Sequence, residues 1–193
     1  MCARLFCAQV SDGDCFAMGG VAGHAGLFAP LGDVAAFALA MLRAANDTSG
    51  GEGHRGTPGG GAGSSFPLNG TTARKFVAVA DPELSSRALG WDTNLATVAD
   101  YGFDGACGGG AGPAAFLHIG YTGTCLCVDP GVDPGVEAGE GRGGGNGGFW
   151  SVVLTNRAFN CQGQLCPAGS EDAVKQVYRD FNSHAAAVVA AMG

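Results

Sequence analysis

Ala114-Ala115-Phe116-Leu117-His118-Ile119-Gly120-Tyr121-Thr122-Gly123-Thr124-Cys125-Leu126-Cys127-Val128 holds two short apolar or β-branched runs, 114–119 and 124–128, parted by turn residues. Runs of that length and composition read as strands, and Phe149–Thr155 supplies a third. Cys125 and Cys127 lie two apart, so they face the same side. Upstream, Val34, Phe37, Ala38, Met41 and Leu42 follow 3.6-residue spacing, which predicts an amphipathic helix over 33–45 with Asp33 in its favourable first turn. Thr71 or Thr72 can cap a short helix reaching about Ala80, which Asp81-Pro82 ends. The longest helix is expected over 171–191, with Glu171-Asp172 at its N-terminus and Val174, Val177, Phe181, Val188 and Val189 on its buried side. Helices, then strands, then a helix make an α+β pattern: neighbouring strands pair in an antiparallel sheet, and helices cover one face.

Composition sets the limits of that core. Among 193 residues, 36 are glycine and 32 alanine, so the 46% hydrophobic content is padded by alanine. Leu, Ile, Val and Phe number 40, enough for one core concentrated in a few segments. Glycine gathers in 49–63, 105–112 and 129–148. Such stretches lose the most backbone entropy on ordering and offer little to bury, so all three are expected to be flexible loops or inserts. Length is consistent with a single domain.

Several functions are disfavoured. A formal net charge of −7 with scattered basic residues is unsuited to nucleic acid, which needs clustered Lys and Arg. No apolar run approaches the ~20 residues of a membrane span. His24, His54, His118 and His184 show no metal-ligand spacing with Cys or Glu, and no cofactor is expected. Gly139-Glu140-Gly141-Arg142-Gly143-Gly144 matches G-x-G-x-x-G, but a strand rather than a helix follows, so it does not read as a phosphate cradle. Eight cysteines without a C-x-x-C pair read mainly as small buried apolar residues, with Cys161 and Cys166 bridgeable in an oxidising compartment.

One ordered set of segments is more specific. Gly19-Gly20-Val21-Ala22-Gly23-His24-Ala25-Gly26-Leu27-Phe28 leads into the Asp33 helix. Ser86-Arg87-Ala88-Leu89-Gly90-Trp91-Asp92 follows, then Phe116 to Thr124, Val128-Asp129-Pro130, and Val152-Val153-Leu154-Thr155-Asn156-Arg157. In this order they resemble the C-terminal portion of the β-lactamase-related serine hydrolases, a group that includes class C β-lactamases, D-alanyl-D-alanine peptidases and esterases. The resemblance implies a partial β-lactamase/transpeptidase-like domain over 1–193.

That family uses three boxes: Ser-x-x-Lys, Tyr-x-Asn or Ser-x-Asn, and Lys/His-Thr/Ser-Gly on a strand. His118-Ile119-Gly120 falls at the third box. By resemblance His118 lines the site and positions the substrate, and the backbone N–H of Tyr121 is one oxyanion donor. Ile119 stands where a hydroxyl residue usually meets a substrate carboxylate. Gly120 lets an acyl substrate lie against the strand. The nucleophile box is absent: no serine has a lysine three residues on, and Tyr101, Tyr121 and Tyr178 are not followed by x-Asn. Thr72-Ala73-Arg74-Lys75 has the first-box spacing but follows the Gly-His-Ala-Gly stretch, where the family carries no nucleophile. The expectation is a C-terminal fragment of a serine hydrolase acting on a small acyl substrate (ester, amide or β-lactam), inactive without a missing N-terminal half. The alternative is a non-catalytic homologue that keeps the scaffold as a binding module.

Overall fold

The computed structural model describes residues 9–47, 69–94, 105–131, 148–157 and 170–192. Its elements run α1 (Gly13–Ala17), α2 (Leu31–Asn46), α3 (Gly70–Val77), β1 (Asp92–Thr93), β2 (Phe116–Gly120), β3 (Thr124–Asp129), β4 (Phe149–Leu154) and α4 (Ser170–Met192). The fold is α+β. Four antiparallel strands lie in the order β1-β2-β3-β4, so each pairs with its neighbour in sequence. The segments 49–63 and 132–147, with the G-x-G-x-x-G match and the Cys161/Cys166 loop, lie outside the described residues.

Helices cover both faces of the sheet, not one. Along β3, Leu126 and Val128 point with Phe116 and Trp150 toward α2, where Ala38, Met41, Leu42, Ala45 and Val77 complete a core. Trp91 caps that core, edge-on to Phe116 at 4.9 Å and stacked with Phe37 at 6.3 Å. On the opposite face Cys127, Leu117 and Phe149 pack with Ala106, Cys107, Ala115 and Ala186 of α4. A two-faced sheet needs β3 to be apolar throughout, which Cys-Leu-Cys-Val supplies.

Alternation fixes these strands, but two helices differ from expectation. Asn69, not Thr71 or Thr72, caps α3: its Oδ1 accepts from the Thr72 N–H at 2.8 Å. Asn at this position is among the best acceptors for orphan amides, and the helix ends earlier, at Val77. The inner side of α4 carries Tyr178, Asn182 and Ala186, all buried, while Val177, Phe181 and Val188 are about half exposed. Val177, Phe181 and Val188 therefore point outward, whereas Val174 is partly buried and Val189 packs against the core on this face. The sheet face under α4 presents Ser151 and Cys125, and a polar Asn182 fits it better than another valine.

The Gly-rich segment 105–112 is irregular, as expected of a loop, yet it is packed rather than empty of buried groups. Ala106 and Cys107 are buried, and Cys107 is disulfide-bonded to Cys127. Cys127 is thus half of a cystine, whereas Cys125 and Cys15 are the small buried thiols that composition suggests.

Candidate active site

β2 carries His118-Ile119-Gly120, the residues that the resemblance sets at a third box. Register with β3 sets His118 opposite Leu126, Ile119 opposite Cys125 and Gly120 opposite Thr124. On its other side β2 meets only the two-residue β1, which pairs with Phe116 and Leu117. Among the described residues, His118–Gly120 therefore has no strand along that edge, and His118 is exposed.

Gly120 has a different structural reason from the one its motif suggests. A Cβ there would collide with the Thr124 hydroxyl across the hairpin. The missing side chain makes room for the protein's own neighbour. Beyond Gly120 the chain turns through Tyr121, Thr122 and Gly123, with the Gly123 N–H returning to the Gly120 carbonyl at 3.0 Å. The end of β4 latches this turn. The Thr155 N–H and hydroxyl donate to the Gly123 carbonyl at 3.0 and 2.5 Å. Arg157 Nε donates to the Tyr121 carbonyl at 2.8 Å, and its guanidinium sits 4.2 Å from the Tyr121 ring centroid. Four hydrogen bonds and one ring contact thus hold the turn, and the bond to the Gly120 carbonyl fixes the peptide that carries the Tyr121 N–H.

Arg87 and Asp92, to which motif reading assigned no role, form an ion pair at the start of β1, and Asp92 lies within electrostatic reach of His118. Arg87 Nε donates to Asp92 Oδ1 at 3.1 Å, with Asp92 buried and Arg87 half exposed. Burial pushes the Asp92 carboxyl above its usual value, and the nearby Arg87 and His118 pull it back. The Thr93 hydroxyl donates to the Ser86 carbonyl at 2.7 Å, and the Ala88 N–H to the Trp91 carbonyl at 3.0 Å, closing the turn that holds the pair. The sequence signal was an aspartate directly after a core tryptophan, at the start of a strand. Its meaning needed the β1–β2 register, which puts Asp92 opposite Leu117.

The Gly-His-Ala-Gly stretch forms a separate cluster. Asp12 caps α1 through the Cys15 N–H at 2.7 Å and meets His24 Nε2 at 3.0 Å. Those two hydrogen bonds hold the Asp12 carboxyl below its usual value. The buried Cys15 thiol donates to the Ala25 carbonyl at 3.3 Å. A shallow depression of about 260 Å³ over Val21–Leu27 is built from that loop alone. Serines in the described residues serve the scaffold: the Ser151 hydroxyl donates to Asn182 Oδ1, and the Ser183 hydroxyl accepts from the Gly109 N–H.

Comparison with known proteins follows the same direction. The chain is 34% identical over 123 residues, 63% of its length, to a protein of Escherichia coli K12 named "Putative D-alanyl-D-alanine carboxypeptidase". It is 31% identical over 115 residues to a protein of the same name from Salmonella agona SL483, covering 60% of this chain. The matched regions are 24% and 22% of those proteins, so the chain spans about a quarter of the length of the curated relatives it matches. No protein-family model matches the chain, and no solved structure matches it. The similarity marks a peptidase-like hydrolase relationship.

Proposed function

We propose that residues 1–193 are a partial β-lactamase-related domain: the C-terminal part of a serine acyl hydrolase whose nucleophile comes from outside this chain. The carrying observation is the exposed His118 on a stretch of β2's edge along which no other described strand lies, in a chain similar to carboxypeptidase-named proteins. In this reading the substrate's acyl carbonyl lies along His118–Gly120. A serine with a neighbouring base attacks the carbonyl carbon, the leaving group departs with a proton, and water then hydrolyses the acyl-enzyme. His118 positions the substrate beside the Arg87–Asp92 pair, and the Tyr121 N–H donates to the oxygen as negative charge builds on it. A latched turn suits that task, because a donor fixed in advance needs no reorganisation when the charge appears.

The 193 residues contain no Ser-x-x-Lys, so the chain alone should not hydrolyse p-nitrophenyl acetate or nitrocefin above a heat-treated control. Turnover by the isolated chain that an active-site serine reagent abolishes would overturn this. Co-expression with the remaining portion of the Escherichia coli relative should restore hydrolysis. In that assembly His118→Ala should lower kcat/KM by about 10²-fold. Tyr121→Phe should leave it nearly unchanged, because that residue acts through its backbone. Failure to restore activity, with both parts folded and bound, would favour a non-catalytic binding module.

A further inference from the structure

We propose that the Cys107–Cys127 bond is a redox-set clasp that pins the Gly-rich segment 105–112 over the α4 face of the sheet and opens only to a dithiol reductant admitted by local unfolding of that segment. The proposal is independent of the hydrolase reading.

Three observations carry it. The segment is tied down at each end and in the middle: the Gly112 N–H donates to Asp129 Oδ2 at 2.9 Å, the Gly109 N–H to Ser183 Oγ at 3.2 Å, and Asn182 Nδ2 to the Ala106 carbonyl at 2.6 Å. At Gly108, φ is +80° and a side chain would meet the Ser183 backbone, so the closest approach to α4 requires glycine. Five glycines in eight residues make that path costly to order, and contacts of this size offset the cost only weakly. A covalent link to the central strand removes much of the freedom the unfolded chain would otherwise have.

Burial explains how the clasp is protected. Both sulfurs belong to residues with no exposed surface, so an external thiolate reaches them only when 105–112 lifts. Among the described residues, the free thiol of Cys125 faces the same side of β3, but it is buried and pushed up to about 12, so it carries almost no thiolate near neutral pH. Opening proceeds in two balanced steps. One thiolate of the reductant attacks a clasp sulfur, forming a mixed disulfide and expelling the other cysteine as thiolate. The reductant's second thiol then displaces the mixed disulfide. Two electrons pass to the protein, the two protein sulfurs end as protonated thiols, and the reductant leaves as its own disulfide.

The test uses the full chain refolded under oxidising conditions. Native alkylation, then denaturation and a second label, then chymotryptic cleavage between Phe116 and Tyr121 separates Cys107 from Cys127. The expected map links those two peptides and labels Cys125 only after denaturation. Hydrogen exchange before and after dithiothreitol should show 105–112 amides exchanging about tenfold faster or more, while α2 and the β2–β3 ladder keep their protection. The Cys107→Ala/Cys127→Ala double variant should reproduce the reduced pattern without reductant. Three results would each overturn the proposal. They are Cys107 linked elsewhere or unlinked, unchanged exchange in 105–112 on reduction, or loss of protection in α2 as well, which would make the bond a staple of the whole fold.

Discussion

At the scale of single residues, the same glycine can answer to two masters. Motif reading keeps Gly120 small for a substrate, whereas packing keeps it small for Thr124. The two reasons separate by mutation. Gly120→Ala should destabilise the isolated chain by about 1–3 kcal/mol, the usual range for a forced extra methyl group. Thr124→Ala in the same chain should recover most of that loss, measured as a non-additive denaturant midpoint. A Gly120→Ala chain of unaltered stability would leave the substrate as the only reason for the glycine. His118 was singled out because its neighbours form an ordered pattern. The Arg87–Asp92 pair was not, because two residues five apart in a turn show no periodicity. For the same reason the Cys107–Cys127 partnership was hidden: a separation of 20 positions and eight candidate cysteines leave pairing to the fold.

Elements tell a similar story with a sharper error. The strands and α2 were legible because alternation and 3.6-residue spacing report burial directly when the buried face is apolar. In α4 that assumption fails. Val177, Phe181 and Val188 form the more hydrophobic stripe, yet the helix turns Tyr178, Asn182 and Ala186 inward. What decides the rotation is the surface opposite: Asn182 accepts from the Ser151 hydroxyl at 2.5 Å and donates to the Ala106 carbonyl at 2.6 Å. Satisfying both groups at once outweighs the gain from turning a valine inward, since each buried group left unpaired costs about 1–3 kcal/mol. Asn182→Ala should therefore cost at least that much, whereas Val177→Ser should stay within about 0.5 kcal/mol, read from chemical denaturation. The reverse order of effects would restore the valine face to the core.

The molecule as a whole joins two cores through one thin sheet, and Ser151, Asn182, Cys125 and Tyr178 gather on its α4 side. Beneath α4 the same burial that shelters the clasp also shapes the response to pH. Burial pushes the Cys125 thiol from 9.0 to about 12, with the Asn182 side chain pulling slightly the other way. Burial, then the neighbouring Cys125, pushes the Tyr178 hydroxyl from 10.0 to about 12. Both groups are neutral when protonated, and both hold their protons more tightly folded than unfolded. Their contribution is complete below pH 9, where both states are protonated. It falls as pH climbs from 9 toward 12, because the unfolded chain releases these protons first. The oxidised protein should thus show a melting temperature that is flat through neutral pH and declines above pH 9. Cys125→Ala lowers the baseline by removing a packed sulfur, but it should flatten the part of the decline that begins at 9. Tyr178→Phe should flatten the part that begins at 10. Baselines move for packing reasons, so the slope is the readout. Equal alkaline slopes in the wild type and both variants would show that neither proton is held by the fold, and that the α4 face is wet rather than closed.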